Sequence, residues 1–138
     1  MSDCLFCKII AREIPSTPVY EDEAVYAFLD IHPVNPGHTL VVPKKHCTGF
    51  LDCDPSTLQK WIIATKKIAQ AMKNGLGLEG LNLLQNEGEV AGQAIFHLHI
   101  HIIPRFAQDG LNPWRSKPYP SSAEAQAVAE KIKNSLVK

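Results

Sequence analysis

Between Phe96 and Pro104 the sequence reads His97-Leu98-His99-Ile100-His101-Ile102-Ile103, and this strict alternation constrains the chain more than any other feature. A period of two belongs to an extended strand, with successive side chains on opposite faces. His97, His99 and His101 then share one face, while Leu98, Ile100 and Ile102 point the other way and can enter a core. At about 3.3 Å per residue, neighbouring imidazoles stand roughly 6–7 Å apart and the outer two roughly 13 Å apart. One metal ion cannot span that row on a straight strand, so the end rings must serve different purposes from the middle one. Three polar rings on one face are costly unless that face lines a cleft. A single strand histidine is normally a satisfied core or surface residue; an alternating trio reads as a site.

The chemistry of imidazole narrows the site further. With an ordinary pKa of about 6.5, a neutral and nucleophilic ring is abundant at pH 7. Such a ring can attack phosphorus, and a second imidazole can donate to phosphate oxygens as their negative charge grows. Covalent catalysis of this kind divides one hard displacement into two easier ones.

The rest of the sequence predicts a single small domain over residues 1–138. Its 138 residues suit one domain, and 45% hydrophobic content suits a modest core. Lysine and arginine balance aspartate and glutamate at net zero charge. No basic stripe marks a nucleic-acid surface, and no run of like charge marks a tail. Apolar runs of four or five residues fall far short of a membrane span. The opening Met1-Ser2-Asp3-Cys4 shows no export signal, so a cytoplasmic location is the expectation.

Segment by segment, residues 4–11 read as a short helix or knuckle. Residues 18–21 and 24–30 read as a hairpin around Asp22-Glu23. Two prolines and a glycine make 32–37 a loop, and Thr39–Pro43 follows as a buried strand. Asp54 caps a long helix with Pro55 at its first position and Gly75 as its stop. Leu58, Trp61, Ile62, Thr65, Ile68, Ala69 and Met72 form that helix's apolar stripe. Leu81–Gln85 reads as a strand, 86–93 as a glycine-bearing loop, and Ile95–Ile103 as a long strand ended by Pro104. Residues 105–120 are irregular, with Pro113, Pro118 and Pro120. Ser121-Ser122-Ala123-Glu124 is a capping box for a last helix with Ala125, Val128, Ala129, Ile132 and Leu136 on one side. Segregated helices and hairpins give an α+β class with a mostly antiparallel sheet.

Of four cysteines, Cys4-x-x-Cys7 is spaced like half a zinc site or a redox pair. No strand precedes it, so metal ranks above redox. Cys47 and Cys53 read as plain thiols.

The histidine run resembles the signature of the histidine triad family. Phe28-Leu29-Asp30-Ile31, then Pro36-Gly37-His38-Thr39-Leu40-Val41-Val42-Pro43-Lys44-Lys45-His46, then Asn86 and Gly92-Gln93 are similar, in order, to its Hint-like branch. The resemblance covers residues 4 to about 105 and leaves 106–138 as an extension without a family motif. It implies a five-stranded antiparallel sheet continued across a homodimer, and hydrolysis of purine nucleoside phosphoramidates or related nucleotides to a monophosphate. By the same resemblance His99 is the nucleophile, His101 contacts the α-phosphate, and His97 and His38 support from either side. Asp30 takes the ribose hydroxyls; Phe6, Ile9, Phe28, Leu29 and Ile31 wall base and sugar. Asn86, Gly92 and Gln93 line the phosphate pocket, followed by Ala94 and Ile95. Ala94 is a departure, since Hint-like members often carry a serine there that helps the leaving group. Bacterial-type members with Cys-x-x-Cys bind zinc, which implies Cys4, Cys7, His46 and His97 as ligands. Alternatives are a dinucleoside polyphosphate hydrolase, a nucleotide-binding module without turnover, and, ranked last, a zinc hydrolase using the triad as ligands.

Overall fold

The computed structural model describes residues 3–111 and 116–136. In chain order these form α1 (Leu5–Ile10), β1 (Pro18–Glu21), β2 (Val25–Leu29), β3 (Thr39–Pro43), α2 (Pro55–Leu76), β4 (Gly80–Leu84), a 3₁₀ turn (Glu89–Ala91), β5 (Ile100–Arg105) and α3 (Ser122–Ser135). The five strands make one sheet in the order β1-β2-β3-β5-β4, antiparallel throughout. The α+β architecture is the expected one.

Local chemistry sets the element ends. In the β1–β2 turn, Asp22 Oδ1 accepts from the backbone N–H groups of Ala24 and Val25, each at 2.8 Å. At the start of α2 the Asp54 carboxylate accepts from the Thr57 N–H at 3.0 Å, and Pro55 occupies a position whose N–H would be unpaired anyway. The helix passes through Gly75, contrary to expectation. It stops at Gly77, whose φ of +64 supplies the left-handed cap.

Alternation on the strands divides the sheet into two apolar faces. Val25, Ala27, Val41, Ile100 and Ile102 face α2 and pack with Trp61, Ala64, Ile68 and Met72. Tyr26, Phe28, Leu40 and Val42 face the other way, where α1 covers part of the sheet with Phe6 and Ile9. The indole N–H of Trp61 donates to the Val41 carbonyl at 2.9 Å, tying α2 to the central strand. Ile62, placed on the buried stripe by its spacing, is instead 46% exposed on the flank of α2.

The largest correction concerns the histidine strand. β5 runs from Ile100 to Arg105, so only His101 of the three lies in the ladder. β3 pairs with β5 only from Thr39↔Ile102 to Val41↔Ile100, and β4 pairing ends at Leu84↔His101. Ahead of that point the Leu98 N–H donates to the Cys47 carbonyl at 2.8 Å instead. The alternation survives outside the ladder: Leu98 is fully buried in the α2-side core. Pro104 does not end the strand. It pairs with Leu81 beyond the end of β3, where no second neighbour needs its missing N–H.

Ser121 caps α3 as expected, its hydroxyl accepting from the Glu124 N–H at 3.2 Å. The apolar side of α3 is not buried: Val128, Ile132 and Leu136 are 40%, 61% and 68% exposed. The expectation of an irregular segment at 105–120 falls in part, at Pro113, outside the described residues. No helix among the described residues is long and apolar enough to cross a membrane.

Candidate active site

A cleft of about 600 Å³ opens on the α1 side of the sheet. Its apolar end is built by α1 and β2, through Phe6, Ile9, Phe28 and Leu29. Asp30 and the 84%-exposed Ile31 continue this wall where β2 runs out. His38, His99 and His101 form the polar floor, and Asn86, Gly92, Ala94 and Ile95 close the far side. Two candidates lie elsewhere: His97 and Gln93 are buried behind the cleft and do not line it.

Hydrogen bonds assign each imidazole a tautomer. The Val34 N–H donates to His38 Nδ1 at 3.0 Å, so the proton of a neutral His38 sits on Nε2. That Nε2–H faces His101 Nδ1 at 2.9 Å, which places the His101 proton on its own Nε2. His99 differs: Nδ1 lies 2.7 Å from the His97 carbonyl and must donate to it, leaving the Nε2 lone pair free. The rings of His99 and His101 are 5.1 Å apart, and Phe6 meets His99 edge-on at 5.0 Å. One ring therefore offers a lone pair, and its neighbour offers an N–H.

Burial keeps these rings neutral. It pushes His101 down to about 4, with help from His99 and His38 and against the pull of Asp30. Burial likewise lowers His99 and His38, opposed by the His97 carbonyl and Asp30 for His99 and by Asp30 for His38. Asp30 itself is partly engaged: Oδ1 accepts from the His32 N–H at 2.8 Å, and Oδ2 lies 3.6 Å from His38 Nε2.

The loop before the histidines is braced from behind. Gln93 Oε1 accepts from the Gly88 N–H at 2.8 Å, and its Nε2 donates to the carbonyls of Thr48 and Ile95. Glu87 accepts from the Phe50 and Leu51 N–H groups of the loop ahead of α2. Gly92 sits at φ +101, where a Cβ would also come within 3.3 Å of the Asn86 amide. Gln93 thus acts on the loop's shape rather than on the cleft surface.

Beside the cleft, Cys4, Cys7, His46 and His97 bring their donor atoms within 4.8 Å of one another. His97 Nδ1 is 3.4 Å from Cys4 Sγ and 3.6 Å from Cys7 Sγ; His46 Nδ1 is 3.4 Å from Cys7 Sγ and 3.2 Å from His97 Nδ1. Tetrahedral zinc, with bonds of about 2.3 Å to sulfur and about 2.0 Å to nitrogen, needs about 3.5 Å between sulfur and nitrogen and about 3.3 Å between nitrogens. The set fits. His97 Nε2–H donates to the Pro43 carbonyl at 2.8 Å, which leaves Nδ1 as a lone pair aimed into the group. Burial and the neighbouring Cys4 push the Cys7 thiol up to about 11, and burial pushes His97 down to about 4.

Sequence reasoning missed Leu5, Ile14, Pro15, Ser16, His32, Val34, Leu40, Leu84 and Ile103 of the lining. Leu40, Leu84 and Ile103 were findable, since strand alternation places them on the imidazole side. The 14–16 turn carried no signal beyond its proline.

An antiparallel sheet backed by a long helix, with imidazoles from two segments meeting over a half-apolar cleft, defines a histidine-triad type of α+β protein. The HIT domain family model matches residues 11–108. A HIT-like protein of Methanocaldococcus jannaschii is 53% identical over 107 residues, covering 78% of this chain and 82% of its own. The adenylylsulfatase HINT3 of Arabidopsis thaliana is 41% identical, over 84% of this chain and 58% of its own length. The crystal structure of SMU.412c from Streptococcus mutans UA159 superposes with a TM-score of 0.92 at 42% identity, covering 97% of this chain and 85% of that one. The chain belongs to the HIT family.

Proposed function

We propose that the chain is a nucleotide hydrolase cleaving purine nucleoside phosphoramidates or related nucleotides at the α-phosphorus. The observation that carries this reading is the pairing of a free Nε2 lone pair on His99 with an Nε2–H on His101 in one cleft. His99 Nε2 attacks phosphorus, the P–N bond breaks, and the amine leaves with a proton taken from solvent water. His101 donates to a non-bridging oxygen as charge accumulates there. Water then displaces His99 from phosphorus, releasing the monophosphate. His38 holds the His101 tautomer, Asp30 receives the ribose hydroxyls, and Phe6, Ile9, Phe28, Leu29 and Ile31 enclose sugar and base. Asn86, Gly92, Ala94 and Ile95 border the phosphate, with Gln93 bracing them.

The relative named as an adenylylsulfatase favours a second leaving group, sulfate, on the same α-phosphorus. Ala94 suits it, because sulfate departs as a stable anion and needs no hydroxyl to assist.

Zinc at Cys4, Cys7, His46 and His97 is part of the proposal. When bound, it cross-links α1 to the segments flanking β3 and β5, and so positions Phe6 and Ile9; the reaction is not routed through it. A homodimer is also part of it. The free edge of β4, with Leu83 50% exposed, supports joining a second copy there.

Release of AMP from adenosine monophosphoramidate, set against a His99→Ala control, tests the reaction. Mass spectrometry of a rapidly quenched mixture should find a nucleotidyl adduct on His99. Equal turnover by the control sinks the mechanism.

A further inference from the structure

The apolar end of the cleft contains a polar row that the reaction does not use. Tyr26 is only 1% exposed, with its ring packed against Phe28. Its hydroxyl lies 2.7 Å from Ser16 Oγ and 3.4 Å from Arg12 Nη1. A side hollow of about 170 Å³ shares Ile9, Ile14, Pro15 and Ser16 with the cleft and adds Arg12 and Tyr26. Arg12 reaches the row from the surface. It holds a left-handed backbone (φ +65), bonds the Glu21 carboxylate, and lies 5.5 Å over the Tyr26 ring.

The row has a direction. A guanidinium can only donate, so the Tyr26 oxygen accepts from Arg12. A phenol donates better than an aliphatic alcohol, and a cation on its oxygen strengthens it further, so Tyr26 gives its hydrogen to Ser16. The Ser16 hydrogen then has no protein acceptor among the described residues, on a side chain that lines the cleft.

We infer that Ser16 is a specificity-determining residue that donates to the exocyclic oxygen of a 6-oxopurine. Guanine and hypoxanthine nucleotides are then preferred over adenine nucleotides, whose amino group can only donate to the remaining Ser16 lone pair and leaves the Ser16 hydrogen without an acceptor. The inference rests on the reading of the cleft as a purine-nucleotide site.

Calorimetric titration of the intact, zinc-loaded protein with GMP, IMP, AMP and purine riboside 5′-monophosphate tests it. The last ligand carries no substituent at position 6. IMP and GMP should bind about three- to tenfold more tightly than AMP, the worth of one neutral hydrogen bond. Ser16→Ala should bring that ratio close to one without changing the affinity for purine riboside monophosphate, and Ser16→Thr should restore it. AMP binding as tightly as IMP to the unaltered protein overturns the inference. So does a Ser16→Ala variant that weakens all four ligands alike. Failure of the unaltered protein to bind any of the four overturns the nucleotide reading as well; binding of all four with no Ser16-dependent preference overturns the inference alone.

Discussion

Replacing His38 with leucine should separate positioning from binding. His38 is 4% exposed and stands between the Val34 N–H and His101 Nδ1, at 3.0 and 2.9 Å. Leucine fills most of the volume and removes both bonds. It leaves the Val34 N–H without its imidazole acceptor, and lets the His101 proton move to Nδ1, where it no longer faces the phosphate. Losing a bond of this kind in a desolvated site costs about 1.5–3 kcal/mol, which corresponds to roughly 10- to 100-fold in rate. Steady-state kinetics with a phosphoramidate carrying a fluorescent amine should show this loss in kcat, with KM little changed. His38→Gln retains an N–H donor toward His101 and should recover most of the rate. The same variant makes a titration forecast. Burial, His99 and His38 lower His101, and Asp30 opposes them; deleting His38 removes one lowering influence, so the His101 pKa should rise from about 4. NMR titration of the ring reads that shift directly. Unchanged kcat in His38→Leu, or a loss confined to KM, refutes the relay.

Stripping the proposed zinc with a chelator should lower the melting temperature and weaken nucleotide binding through the loosened Phe6 and Ile9. A Cys4→Ser protein should retain well under one zinc per chain by native mass spectrometry, and full retention would discredit the ligand set. Asp109 is held well below the usual carboxylate range by Arg105 first, then by backbone N–H groups of Phe106 and Leu111, with Asn35 adding to them. The native state therefore binds fewer protons than the unfolded chain between the depressed pKa and the ordinary value near 4. That contribution is complete above about pH 4 and vanishes as pH falls through the depressed value; urea melts of Asp109→Asn from pH 5 to 3 should show a shallower decline than the unaltered protein. Trp61→Phe removes the indole bond to the Val41 carbonyl and leaves space under α2, a loss of about 2–3 kcal/mol, or roughly 5–10 °C in melting temperature. A change below 1 °C would mean that the indole bond does not anchor α2.

How much of this was legible in the sequence follows from the range of the forces involved. Asp54-Pro55 announced α2 because capping is local, acting within one turn. Gly75 misled because a glycine stops a helix only where the backbone turns left-handed, and that turn is made two residues later at Gly77. The faces of Leu98, Ile100 and Ile102 were readable from alternation alone. The start of β5 was not, since it depends on where β3 and β4 stop pairing, a tertiary matter. Likewise Ile62 matches the helical period of the stripe, yet no spacing rule tells which flank the sheet leaves open. The turn at Ile14-Pro15-Ser16 enters the cleft only because α1 folds over β2, so nothing local marked it.

The same reasoning explains why three similar histidines acquire different chemistry. Alternation put them on one side, but it treats them as equals. What distinguishes them is the partner of the nitrogen turned away from the work. The Pro43 carbonyl takes the proton of His97 at Nε2 and leaves Nδ1 to the cysteines. The His97 carbonyl accepts from the Nδ1–H of His99 and leaves the Nε2 lone pair free. For His101, His38 donates to Nδ1 and so keeps the proton on Nε2. Two backbone carbonyls and one imidazole thus give a repeated residue three different faces, a lone pair at Nδ1, a lone pair at Nε2 and an N–H at Nε2, which the proposed function uses as ligand, nucleophile and donor. A strand continuing straight through His97 would commit the His97 carbonyl to a neighbour or to solvent, and His99 would lose the bond that fixes its tautomer. The early end of the β5 ladder is therefore a requirement of the site.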